Sequence, residues 1–139
     1  MNGRAFIDTN ILVYLYSLQE PDKRNICIAE LDKYTRVVST QILNELSNVL
    51  FKKYRLKADD VRKHVENVKR LAEISAVELS TIDKAITLQG RYGFSYYDCL
   101  MLTSALDEDC EVVLTEDLSD GQIVYGRLKI VNPFKSLLV

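Results

Sequence analysis

The chain has 139 residues, 47% of them hydrophobic and 27% charged, with five glycines and two prolines. Those proportions exclude intrinsic disorder, a collagen-like fibre and a disulfide scaffold, and they predict one globular domain, 1–139, whose core needs no structural metal. Eighteen Lys and Arg against 20 Asp and Glu leave a formal net charge of -2, so a surface for a polyanion has to be local.

Cys27, Cys99 and Cys110 are an odd count with no C-x-x-C pair, as expected of reduced thiols in a cytoplasmic protein. The longest uncharged stretch near the start, residues 9–19, is too short and too polar to span a membrane. No leader peptide and no membrane partner are expected.

In chain order, residues 4–7 predict a strand that ends at Asp8. From Asn10 onward Ile11, Leu12, Leu15, Tyr16 and Leu18 follow a helical period. A second helix is predicted over 22–33, behind Pro21. Residues 36–39 predict a second strand, and Thr40 caps a helix running to about residue 54. Another helix over about 59–73 places Val61, Val65, Val68 and Ala72 on one face. Residues 74–79 predict a third strand, and Ser80 with Asp83 spells a capping box for a helix ending near Gly93. Ser95 opens the next helix, to about residue 106. Strands over 111–114 and 127–131 follow, the last ended by Asn132-Pro133. Strands alternating with helices of this length predict an α/β fold in three layers around a mainly parallel sheet. In such sheets ligands gather beyond the carboxyl ends of the strands.

Four acids occupy that end. Asp8 follows the first strand directly, although as a helix N-cap it also has a purely structural use. Glu45 borders the apolar stripe of its helix, formed by Ile42, Leu43, Leu46, Val49 and Leu50. Asp98 fits a capping box with Ser95, yet the helix it opens has almost no polar face, which predicts partial burial. Asp117 lies just past the fourth strand, in a polar run with Thr115, Glu116 and Asp120. Carboxylates gathered within a few ångströms raise one another's pKa unless a cation neutralises them. With oxygen donors alone the expected cation is hard, Mg²⁺ or Mn²⁺. The single histidine, His64, stands at the edge of an apolar helical face and reads as structural.

The segments Phe6-Ile7-Asp8-Thr9-Asn10-Ile11-Leu12, Ser39-Thr40-Gln41 through Glu45, Tyr97-Asp98 and Leu114-Thr115-Glu116-Asp117 resemble the PIN-domain nucleases, in that family's order and spacing across nearly the whole chain. Within the family the likeness is greatest to VapC-type toxins, single-domain endoribonucleases of toxin–antitoxin pairs. The resemblance implies a five-stranded sheet in the order 3-2-1-4-5. It implies that Asp8, Glu45, Asp98 and Asp117 bind metal and act in catalysis, with Asp120 as an auxiliary ligand, and that Asn10 and Thr115 help arrange them. It also implies an RNA substrate, a cognate antitoxin and a homodimer. The chemistry expected is metal-assisted hydrolysis of a phosphodiester.

The global charge conceals a basic segment. Residues 51–70 hold eight Lys and Arg against three Asp and Glu, and Lys52, Lys53 and Arg55 are the candidate RNA contacts, with Tyr54 available to stack on a base. Tyr14, Tyr16 and Leu18 exceed what one helix face can bury, which suggests an association surface. Two other readings stand beside this one. An aspartate-based phosphatase lacks its second acid, because Asn10 occupies that place. A non-catalytic α/β RNA-binding module would not require all four acids.

Overall fold

β1 (Arg4–Ile7) runs through the middle of the sheet, and Ala5, Phe6 and Ile7 are all buried. It is paired on both edges, parallel to β2 (Thr35–Ser39) on one side and to β4 (Val112–Leu114) on the other. A strand covered on both faces reads as a continuous apolar run instead of an alternation. The computed structural model describes residues 3–135. β3 (Glu73–Ser75) extends the sheet beyond β2, and β6 (Leu128–Val131) extends it beyond β4, both in parallel. These five strands stand in the order expected. A sixth, β5 (Ile123–Val124), pairs antiparallel with β6 at the edge, giving β3-β2-β1-β4-β6-β5. Two residues at a hairpin are too few to show a period in sequence.

The helices are α1 (Thr9–Tyr16), α2 (Pro21–Leu31), α3 (Thr40–Lys52), α4 (Ala58–Leu71), α5 (Leu79–Tyr92) and α6 (Tyr96–Asp107). They pack as two groups, α1 to α4 and α5 with α6, around the central sheet of the three-layer fold. α6 has no solvent face over residues 99–106, all of them buried, as its lack of polar positions predicted.

Several boundaries differ from expectation, each for a local reason. Ser39, and not Thr40, caps α3, its hydroxyl accepting the Ile42 N–H at 3.4 Å. That leaves the Thr40 hydroxyl free to accept the Val77 N–H at 3.1 Å. This bond takes residue 77 out of the ladder, so β3 stops at Ser75 instead of continuing to 79. The cap of α5 falls two residues earlier than Ser80: Glu78 is the N-cap, and its N–H donates to the Thr81 hydroxyl at 3.1 Å. α4 ends at Leu71, and Glu73 belongs to β3.

Tyr14 and Tyr16 are half-buried by contacts within the chain. Tyr14 stands edge-on to Phe134 at 5.1 Å and Tyr16 edge-on to His64 at 4.3 Å, while Leu18 of the same expected surface is 86% exposed. The three cysteines are free and buried, and burial pushes the Cys27 and Cys110 thiols up to about 12, which keeps them unreactive. Among the described residues no helix is long and apolar enough to cross a membrane.

Candidate active site

Asp8 is both a cap and a site residue. Its N–H still bonds to the Leu114 carbonyl at 3.1 Å, so the ladder between β1 and β4 fixes its backbone at the carboxyl edge of the sheet. Its Oδ1 accepts the Thr9 N–H at 2.7 Å and caps α1. Its Oδ2 accepts from the buried Thr115 hydroxyl at 2.7 Å, directly after β4. The same hydroxyl accepts the Asp117 N–H at 3.1 Å and holds that loop in a turn. Asn10 completes the link: its Nδ2 donates to Asp117 Oδ2 at 2.9 Å and to Asp8 Oδ2 at 3.4 Å. Asn10 and Thr115 thus each hydrogen-bond to Asp8 and to a group of Asp117.

Glu45 is held by two residues that its own motif did not reveal. The Thr9 hydroxyl donates to Oε1 at 2.8 Å, and Gln41 Nε2 donates to Oε2 at 3.3 Å. Gln41 also donates to the Tyr97 carbonyl at 3.0 Å, which ties α3 to the start of α6. The signal was available for Gln41, because residues four apart share a helix face. Thr9 gives no such sign, since its bond spans 36 positions of sequence.

Asp98 is half-buried in the first turn of α6, where its Oδ2 accepts from the Ser95 hydroxyl at 2.8 Å while Ser95 caps the Asp98 N–H at 3.3 Å. Asp8, Glu45, Asp98 and Asp117 thus arrive from four separate parts of the chain to line a single cleft of about 540 Å³. Asp120 does not join them. Its carboxylate accepts the Asn132 N–H at 2.8 Å and pairs with Lys135 at 3.5 Å, contacts that hold it below the usual carboxylate range. Glu116 does line the cleft, but Lys23 and Tyr14 engage its carboxylate.

Of the basic candidates, Lys53 reaches the cleft together with Tyr54, its ammonium 5.7 Å from the centre of that ring. Lys52 and Arg55 are exposed and do not line it. Part of the charge on α4 is paired within the helix, Arg62 with Asp59 and Lys69 with Glu66, each at 2.9 Å. His64 lies off the cleft against Tyr16.

Electrostatically the cleft is unbalanced. Asp8 is only 8% exposed, and burial is the main cause that pushes its carboxyl up to about 6. The hydrogen bonds from Thr115 and Thr9 oppose that rise, and the charges of Asp117 and Glu45 add to it. Among the described residues Asn10 Oδ1 is buried without a partner, while its amide nitrogen is committed to the two aspartates. The donors are all oxygens and mostly anionic, which suits a hard divalent cation and not zinc. Among the described residues no three acidic, histidine or cysteine side chains stand together as a preformed metal shell. The donor chemistry fits such an ion; enclosing one requires side chains to turn inward.

A doubly paired strand ending in a buried aspartate, with three further acids at one crevice of a parallel sheet, defines an α/β protein with an acidic active-site-like cleft. The sequence pattern of the PIN domain matches residues 5–119, and the chain belongs to the PIN-domain family. No curated protein sequence matches it. Among solved structures it is similar to a toxin–antitoxin complex from Klebsiella pneumoniae, at 21% identity and TM-score 0.70, covering 93% of this chain and 97% of that one. It is similar to VapBC2 from Rickettsia felis bound to a promoter DNA fragment, at 16% identity and TM-score 0.65, covering 93% and 99%. It is also similar to VapC20 from Mycobacterium tuberculosis, a toxin that cleaves the sarcin-ricin loop, at 11% identity and TM-score 0.63, covering 78% and 86%.

Proposed function

We propose that this protein is a metal-dependent endoribonuclease and the VapC-type toxin of a toxin–antitoxin pair. The observation that carries the reading is the convergence of Asp8, Glu45, Asp98 and Asp117 on one cleft at the carboxyl edge of the sheet. Family membership and the toxin–antitoxin complexes among its structural relatives support it. By the same likeness it acts in the cytoplasm as a homodimer restrained by a cognate antitoxin.

Asp8, Glu45, Asp98 and Asp117 would hold Mg²⁺ or Mn²⁺. Bound there, the ion lowers the pKa of a water and stabilises charge on phosphorus-bound oxygens. The chain's own residues do the positioning. Thr115 and Thr9 fix both oxygens of Asp8, Thr9 and Gln41 fix those of Glu45, and Asn10 spans Asp8 and Asp117. Lys53 supplies positive charge at the cleft for the RNA backbone, with Lys52 and Arg55 as exposed outer contacts. The only histidine lies off the cleft, so no histidine pair can drive attack by the RNA's own 2′-hydroxyl. Hydrolysis by water is the route that an oxygen-donor site for a hard cation favours.

The test is cleavage of an RNA panel by purified protein with Mg²⁺, Mn²⁺ or EDTA, beside Asp8→Asn and Asp98→Asn. Chelation and either substitution should lower the rate by at least ~10²-fold, the scale of losing one major charge-stabilising group. Undiminished cleavage in EDTA would overturn the proposal.

A further inference from the structure

One feature of α3 is unexplained by metal binding. Gln41, Asn44, Glu45 and Asn48 are spaced i, i+3, i+4, i+7, so they form a polar stripe along one side of the helix, beside the buried Ile42, Leu46 and Leu50. Glu45 stands in the middle of that stripe and borders two depressions. On one side is the acidic cleft, where Asn48, Lys53 and Tyr54 form part of the wall. On the other is a pocket of about 240 Å³ lined by Gln41, Asn44, Val77 and Tyr97 among others.

On either side of Glu45 an asparagine amide stands near a tyrosine, Asn48 with Tyr54 in the cleft, whose lining also holds Asn10 and Tyr14, and Asn44 with Tyr97 in the pocket. Tyr97 is 65% exposed, although residues 99–106 that follow it are all buried. The Gln41 bond to the Tyr97 carbonyl fixes its distance from α3. An asparagine side chain carries donors and an acceptor and can read the edge of a base, and aromatic rings stack on bases. Apart from Glu45 the stripe is uncharged, so it adds no further repulsion to an approaching polyanion. From Gln41 to Lys53 the helix rises about 18 Å, enough for more than one nucleotide.

We propose that the pocket beside Glu45 is a nucleobase subsite, in which a base next to the scissile phosphate stacks on Tyr97 and presents its edge to Asn44. The neighbouring base across Glu45 meets Tyr54 and Asn48, and the strand lies along α3. This rests on the nuclease reading above and deepens it to an unpaired strand, because a base inside a duplex is already stacked and paired.

Binding is measured by fluorescence anisotropy of a labelled RNA strand and of the same strand in a duplex, in an Asp8→Asn background that removes cleavage. Tyr97→Ala should weaken binding of the unpaired strand by about 5- to 150-fold, the equivalent of ~1–3 kcal/mol for one stacked base, while Tyr97→Phe stays within about twofold. Duplex binding should not respond to either. Asn44→Ala, assayed for cleavage with Asp8 intact, should alter which nucleotide is preferred beside the cut more than overall affinity. Unchanged strand binding by Tyr97→Ala, or equal loss on strand and duplex, overturns the subsite. The two readings fail separately. Cleavage by Tyr97→Ala at the wild-type rate and affinity leaves the nuclease and removes the subsite, whereas absence of cleavage by wild type with either metal removes the nuclease.

Discussion

Lys23 of α2 and Glu116 of the loop after β4 form an ion pair at 3.2 Å, and the Tyr14 hydroxyl bridges them by accepting from Lys23 at 3.0 Å and donating to Glu116. Lys23 also sits over the Tyr14 ring at 4.8 Å and the Phe134 ring at 5.2 Å. Both oxygens of Glu116 are thereby used. Of the three acids that crowd this loop, Glu116 is neutralised by Lys23 and Asp120 by Asn132 and Lys135, and only Asp117 is linked through Asn10 to Asp8.

Breaking this pair should be costly because both partners are only about a quarter exposed. Lys23→Met is expected to destabilise the fold by about 1–3 kcal/mol, since it strands a partly buried carboxylate. Adding Glu116→Gln should recover part of the loss. Urea unfolding of the two single variants and the double variant measures the coupling, expected at about 0.5–3 kcal/mol. Strictly additive effects would show that the pair does not hold the loop.

Asp8→Asn should separate stability from activity. Asparagine can cap a helix and carries no buried charge, but its NH₂ must face either the Thr9 N–H or the Thr115 hydroxyl and Asn10 amide, donors that the two carboxylate oxygens accept. At pH 7 without divalent metal the relief of the buried charge is expected to offset that loss, leaving stability at or above wild type, while cleavage falls by at least ~10²-fold. Thermal unfolding in EDTA, run beside a cleavage assay, checks both. A variant clearly less stable than wild type would mean that the hydrogen bonds of the Asp8 carboxylate outweigh the cost of its buried charge.

The raised pKa of Asp8 sets a pH dependence. Its ordinary value of 3.8 rises to about 6 on folding, so between these values the folded protein keeps a proton that the unfolded chain has lost. Metal-free stability is therefore greatest below about pH 4 with respect to this group, and declines as pH rises to about 6, by up to roughly 3 kcal/mol. Mn²⁺ should reverse the decline above pH 6, where Asp8 is ionised, by binding the folded state. Denaturant titrations in EDTA and in Mn²⁺ across pH 4–8 test this. The same decline in Asp8→Asn would assign it to another group.

The basic candidates should act on binding and not on chemistry. Lys52→Ala with Lys53→Ala is expected to weaken RNA affinity and to flatten its salt dependence, by up to ~0.7 in log–log slope for each phosphate no longer neutralised. Most of the change should come from Lys53, which lines the cleft. An unaltered slope would remove both lysines from the RNA surface.

The order of strands and helices, the parallel sheet and the four acids at its carboxyl edge were legible in the sequence, because hydrophobic period and cap residues are local signals. So was the buried character of α6, whose residues offer no polar face. The tertiary structure alone decided three matters. Thr9 anchors Glu45 and Asn10 bridges to Asp117 across 36 and 107 positions, distances over which sequence carries no geometric information. What occupies Glu116 and Asp120, the acids beside the Asp117 that the resemblance had already singled out, followed from which cations and N–H groups other elements bring to each carboxylate. The fate of Tyr14 and Tyr16, taken into contacts with Phe134 and His64, depended on where a distant loop and α4 came to rest. Composition fixes which groups need partners; only the fold determines which partners they find.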